Sequence, residues 1–238
     1  MRFLYTIAIR IYAFGVRLAA GFGNAKAKLW VEGRRQQADT RATFDSADDP
    51  DEWIWFHAAS LGEFEQGRPV IEALKSEFPQ YKILLSFFSP SGYEIRKAYP
   101  LADEVLYMPI DTPRNAEAWV KRHHFVAAFF IKYEFWFNAM KALKDAQVPL
   151  FYISLILNPK SYFFKPYGRW FLRQLDAVTH FFVQDEATQQ ALAAQGMTNV
   201  TLCGDTRFDR VAAISAENLR RFVNGEPLTH VVDRRLGY

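Results

Sequence analysis

The order of apolar runs along the chain predicts an α/β fold, a parallel sheet with helices between its strands, and three observations carry that expectation. Strand-like and helix-like runs alternate from residue 52 onward, as βαβ units require. Two of the strand-like runs, 53–57 (WIWFH) and 125–131 (FVAAFFI), are apolar or aromatic throughout, which suits strands covered on two faces. Half of the 238 residues are hydrophobic, so a sizeable core is available to such a sheet.

Residues 3–22 are apolar except for Arg10 and Arg17, which stand seven apart and so fall on one stripe of a helix. Leu4, Ile7, Ile11, Phe14 and Leu18 share another face. Two arginines are costly in mid-bilayer, so residues 1–24 are expected to form a membrane-associated amphipathic helix lying at an interface, ahead of a span or of a helix packed on its own domain. Arg10 interrupts the apolar run, which argues against a secretory signal. Gly21-Phe22-Gly23 follows a helix and lacks a third glycine, so it is no dinucleotide fingerprint. Residues 26–41 predict a polar helix, and DSADDPD at 45–51 an acidic linker, giving a segment 25–51. Residues 1–41 hold eight basic and two acidic side chains, a balance of +6 that leaves −3 for the rest of a chain whose net charge is +3. The positive charge therefore points the N-terminal end at an anionic surface, while the negative balance elsewhere speaks against nucleic acid.

A globular domain is expected over 52–211, with strands at 53–57, 82–87, 104–108, 125–131, 150–153, 177–183 and 200–203. Between them, a helix starting after Ser60 carries Val70, Ile71, Leu74 and Phe78 at helical spacing. Thr112-Pro113 opens a helix, 137–146 forms another, and 185–195 a further one closed by Gly196.

Polar residues gather where these strands should end. Ser60-Leu61-Gly62-Glu63 follows the first strand. Glu63 fits a capping box, three residues after Ser60, and equally fits a carboxylate in the crevice where open α/β sheets hold ligands. The turn Ser89-Pro90-Ser91-Gly92 follows the second strand, as an ordinary helix cap or as amides for an anion or sugar hydroxyl. Lys132 and Glu134 follow the fourth, where they pair with each other or face a ligand. His57 reads as a satisfied core histidine, and His123-His124 as a helix end at the surface; none has metal-ligand spacing. Cys203 is the sole cysteine, which excludes an intrachain disulfide and fits a reducing compartment. No G-x-S-x-G, P-loop or H-E-x-x-H motif occurs.

Four motifs in order, HAASLGEF at 57–64, FSPSG at 88–92, KYEFWFN at 132–138 and GDTRFDR at 204–210, make the chain resemble the acceptor-side N-terminal domain of the 3-deoxy-D-manno-octulosonic acid (Kdo) transferases of lipopolysaccharide assembly. The resemblance implies a Rossmann-like half of a GT-B glycosyltransferase that inverts the anomeric carbon and requires no cofactor or metal. It implies CMP-Kdo as donor and a lipid A precursor as acceptor, met at the cytoplasmic face of the bacterial inner membrane. Glu63 matches the family's general base and Glu134 a second acid in the cleft. Ser60, Gly62, Ser89 and Gly92 match acceptor-side turns, and Arg207 lies in the segment leading to the interdomain region.

The chain departs from that family where many members carry an acid in place of Lys132, and where SLILN stands at 154–158. Residues 212–238 are expected to begin the interdomain region, and the end, THVVDRRLGY, does not resemble the family's next strand, so a missing donor-binding domain is expected. The alternatives are a catalytically silent, membrane-bound acceptor-binding fragment and a GT-B enzyme using another nucleotide sugar such as UDP-GlcNAc.

Overall fold

Apart from its first residue, every side chain of the strand Glu52–Ala58 is buried. Alternate residues of a strand point to opposite faces. Trp53 and Trp55 accordingly enter one apolar cluster, and Ile54, Phe56 and Ala58 a second. The computed structural model describes residues 1–41, 50–206, 216–222 and 224–227. In chain order these form α1 (Arg2–Gly21), α2 (Ala25–Arg41), β1 (Glu52–Ala58), α3 (Leu61–Glu77), β2 (Lys82–Phe87), α4 (Pro90–Arg96), β3 (Glu104–Tyr107), α5 (Pro113–Val120), β4 (His124–Ile131), α6 (Phe137–Asp145), β5 (Leu150–Leu155), α7 (Arg169–Gln174), β6 (His180–Val183), α8 (Glu186–Ala194), β7 (Val200–Leu202) and α9 (216–222).

The seven strands make one sheet in the order β3-β2-β1-β4-β5-β6-β7. Every pairing is parallel. The strand order reverses between β1 and β4, and their carboxyl ends border the crevice in which doubly wound sheets place ligands. Residues of α3 and α9 cover one face, and residues of α5, α6 and α8 the other. Across β1, β4, β5 and β6 runs a row of stacked rings, with centroids 4.8 Å apart for Phe56–Phe129, 5.1 Å for Phe129–Phe151 and 6.4 Å for Phe151–Phe182. Each such pair contributes about 0.5–1.5 kcal/mol beyond its buried area.

The strands fall where the apolar runs place them, with one shortening. Ala177, the first residue of the expected sixth strand, ends a 3-10 turn over Leu175–Ala177 instead, and β6 starts at His180. Neither α7 nor the 3-10 turns before it could be read from the sequence, because aromatic residues at 162–171 are too closely spaced to show a period. His123 corrects the surface expectation: it is buried, stacked 4.0 Å from Trp53, with Nε2 3.2 Å from Glu104. His124 is exposed and opens β4.

The N-terminal helices are docked. In α1, Thr6, Ala13 and Ala20 stand seven apart and are buried, so small residues let the helix lie close to the domain. The opposite stripe, Leu4, Ile11, Phe14 and Leu18, is exposed. The reading of a helix packed on its own domain is thus met by its inner face, while the described residues leave the apolar stripe uncovered. The polar helix α2 packs on the sheet's carboxyl edge through Trp30, while the Gln37 side-chain oxygen accepts from Tyr107 N–H at 2.9 Å. Most of the acidic linker, Arg207 and the tail 229–238 lie outside the described residues.

Candidate active site

The turn after β1 is fixed by its own acid. Ser60 is the N-cap of α3, and the Glu63 carboxylate accepts from the backbone N–H of Ala59 at 2.6 Å and of Ser60 at 3.1 Å. These bonds satisfy amides that the helix itself cannot. Burial, then the charge of Glu134, push the Glu63 carboxyl up to about 7, against the opposing pull of the two N–H groups and of Lys132. The capping role and the cleft position hold together. Nothing in the described protein approaches within 4 Å of the place a Cβ would take on exposed Gly62, so the space over this turn is open.

The turn after β4 brings the second acid. Lys132 carries the strand ladder on by donating its N–H to Ile153 O at 3.0 Å, then turns the chain through φ 61°. Ser154, one residue before the end of the neighbouring β5, has φ 55°. A non-glycine residue held there costs about 1–3 kcal/mol, and such strain clusters at functional sites. Tyr152 Oη donates to the Glu134 carbonyl at 2.7 Å, which pins the turn. The Trp136 indole N–H is shared between the Glu134 carboxylate at 2.8 Å and His57 Nε2 at 2.9 Å. An accepting Nε2 puts the His57 proton on Nδ1, which lies 2.8 Å from Ser86 Oγ. Lys132 and Glu134 do not pair with each other; the ammonium sits 5.6 Å from the Tyr133 ring centre.

A groove of about 330 Å³ runs between this turn and α1, lined by Ile9, Tyr12, Ala59, Phe88, Ile110, Asp111, Glu134 and Trp136. Glu63 stands beside it, bonded to the Ala59 N–H. Asp111 ties roof to floor. Its carboxylate accepts from Tyr5 Oη of α1 at 2.6 Å and from the Asn138 and Ala139 N–H groups at 3.0 and 2.9 Å, capping α6. Burial nonetheless pushes the Asp111 carboxyl above its ordinary value.

Of the residues singled out from sequence, Ser60, Gly62, Glu63, Lys132 and Glu134 meet at the β1–β4 switch point. Ser89 caps α4, its Oγ accepting from Ser91 N–H at 3.3 Å, at the neighbouring end of β2. Gly92 is buried, and a Cβ there would stand 2.3 Å from the Phe87 ring, so close packing accounts for the glycine. Sequence reasoning missed His57 as the partner of Trp136 and Asp111 as the link to α1. The sole signal for Asp111 was its place before Thr112-Pro113, which reads equally as part of a helix cap. Among the described residues no group of three or more His, Cys, Asp or Glu could hold a metal ion.

A doubly wound parallel sheet with two carboxylates converging on its switch point defines the Rossmann-like half of a GT-B type fold. Solved structures agree. UDP-GlcNAc 2-epimerase from Neisseria meningitidis, bound to UDP-GlcNAc, aligns with a TM-score of 0.50 at 13% identity, covering 74% of this chain and 52% of that one. The family follows from sequence: a model described as 3-deoxy-D-manno-octulosonic-acid transferase matches residues 26–210, and the chain belongs to that family. The Haemophilus influenzae 3-deoxy-D-manno-octulosonic acid transferase is 27% identical over 114 residues, 47% of this chain and 26% of that protein. The Chlamydia muridarum enzyme of the same name is 25% identical over 150 residues, 60% of this chain and 34% of that protein. The matched part of the chain thus spans between a quarter and a third of the length of these relatives.

Proposed function

We propose that this chain is the acceptor-side half of a Kdo transferase, which moves Kdo from CMP-Kdo to a lipid A precursor at the cytoplasmic face of the bacterial inner membrane. The observation that carries the reading is the pair Glu63 and Glu134 at the β1–β4 switch point beside an open groove. A sugar hydroxyl is a poor nucleophile, and a carboxylate that takes its proton as the new bond forms lowers the barrier. The acceptor oxygen bonds to the Kdo anomeric carbon from the face opposite the donor's phosphate, the bond to CMP breaks with inversion, and the proton passes to Glu63. Its raised pKa, about 7, makes it a stronger base than an ordinary carboxylate while leaving much of it ionised near neutrality. Glu134, fixed by Trp136, orients the acceptor hydroxyl. Ser60 and Ser89 directly follow the groove-lining Ala59 and Phe88 in sequence, Gly62 lies in the same turn as Ser60, and these acceptor-side turns and the Lys132 charge are available to the substrates. No step calls for a metal.

The test is transfer of radiolabelled Kdo from CMP-Kdo to lipid A precursor by the chain and by its Glu63→Gln variant. Loss of a general base costs about 10²–10⁴-fold in rate, and an unimpaired Glu63→Gln protein would overturn the assignment. Saturable binding of the precursor without any transfer would instead favour an acceptor-binding module, and the enzyme reading for this chain would fall.

A further inference from the structure

A second cavity, of about 420 Å³, lies where α1 and α2 meet the turn after β3, and three arginines line it: Arg17 from α1, and Arg34 and Arg35 from α2. No acidic side chain is among its described lining residues. Arg34 is built in. Its Nε donates to Met108 O at 2.9 Å and its Nη2 to Phe88 O at 2.8 Å, while the guanidinium sits 3.9 Å from the Trp30 ring centre. Those bonds hold the group in place. Arg17 and Arg35 are exposed and have no ion-pair partner among the described residues. Each leaves a planar fork of donors available, the geometry that suits a tetrahedral oxyanion. Like charges lining one cavity repel one another, and an anion among them turns that cost into attraction.

We propose that this cavity binds a phosphate group, with Arg17 and Arg35 as the forked donors and Arg34 as the fixed positive floor. Its position says where the phosphate comes from. Ile110 lines this cavity and the groove of Glu134 alike, so the two adjoin. Arg17 also lies between Phe14 and Leu18 in sequence, next to the exposed apolar stripe of α1. A phosphate borne by a lipid-anchored molecule reaches the cavity while the rest of that molecule reaches the groove. Assigning the phosphate to the acceptor rests on the transferase reading; the anion site itself rests on the arginines.

The experiment uses the whole chain and no sugar donor, so its failure is separable from failure of the Glu63 transfer assay. Calorimetric titration with inorganic phosphate and with glucosamine 6-phosphate forms one arm. Flotation with phosphatidylcholine vesicles, with and without phosphatidic acid, forms the other. The proteins are wild type, R17Q/R35Q, each single variant, and K160Q/K165Q, which removes the same charge from exposed lysines elsewhere. Binding of the soluble phosphates that weakens by about tenfold or more in R17Q/R35Q, and not in K160Q/K165Q, supports the site with a phosphomonoester as its ligand. Silence toward soluble phosphates with the same selective loss on phosphatidic acid vesicles supports it with a lipid headgroup as the source. Equal losses in the two double variants, or no phosphate-dependent binding in either arm, overturn the proposal.

Discussion

At the scale of single residues, the proposed chemistry depends on how Glu63 is held. Two backbone donors favour its charged form, burial and Glu134 disfavour it, and the second pair prevails. Lys132 acts on the ionised side, so removing its charge pushes the carboxyl higher still. Titration of ¹³C-labelled glutamate carboxyls by NMR, with Glu63→Gln for assignment, is expected to place Glu63 near 7 and to move it upward in Lys132→Met. With Glu63 in the proposed role the sign for catalysis follows: a base works when deprotonated, so transfer rises with pH through that inflection, and in Lys132→Met the inflection moves to higher pH, on top of any pH-independent loss of the donor contact. A Glu63 that titrates near the ordinary value of about 4.3 would undo this account. The sequence made Glu134 legible because it follows close on an apolar run, where a charge has to be accommodated, and Glu63 because it stands three residues after Ser60 in the turn beyond the first strand. It could not show His57 and Trp136 meeting across 79 residues, nor Tyr5 reaching Asp111, since those contacts exist only once the sheet and α1 are assembled.

At the scale of elements, the sheet was readable from local apolar runs because strands buried on two faces have no polar alternation to confuse them. The docking of α2 was not readable, because a helix that looks polar along its length is held by a few long-range contacts. Three of these stand one turn apart: Trp30 packs on Phe88, Arg34 bonds the carbonyls ending β2 and β3, and Gln37 takes the Tyr107 N–H. Gly33 permits the approach. A Cβ there would lie 2.2 Å from the Tyr107 ring, which is itself stacked 4.1 Å from Tyr93 and has little room to yield. Gly33→Ala is therefore expected to destabilise the fold by about 1–3 kcal/mol, the range for overpacking a filled site. Urea unfolding followed by tryptophan fluorescence measures it. A change within a few tenths of a kcal/mol would mean that α2 is held loosely.

At the scale of the whole molecule, the two faces of α1 differ: one is packed on the domain and the other is left exposed. Thr6, Ala13 and Ala20 hold the helix down, while Leu4, Ile11, Phe14 and Leu18 face away and have no described protein to cover them. The helix is long and apolar enough to cross a bilayer, yet its inner face is occupied by the domain, and Tyr5 and Arg2 are bonded to it. That arrangement favours lying on the membrane, apolar stripe down, with Arg10 and Arg17 beside the stripe at headgroup level. Burying an apolar side chain of this size is worth about 1.5–3 kcal/mol, so replacing two of them by charges removes at least that much twice over. The Ile11→Asp/Phe14→Asp protein is expected to bind anionic vesicles about 100-fold or more weakly than wild type in flotation assays. Wild-type binding should also fall as salt is raised, because the +6 balance of residues 1–41 adds an attraction that ions screen. Tyr167→Asp, at an exposed aromatic far along the chain, serves as the control and should bind as wild type does. Equal flotation of the stripe variant and the wild type would show that this face of α1 meets something other than lipid.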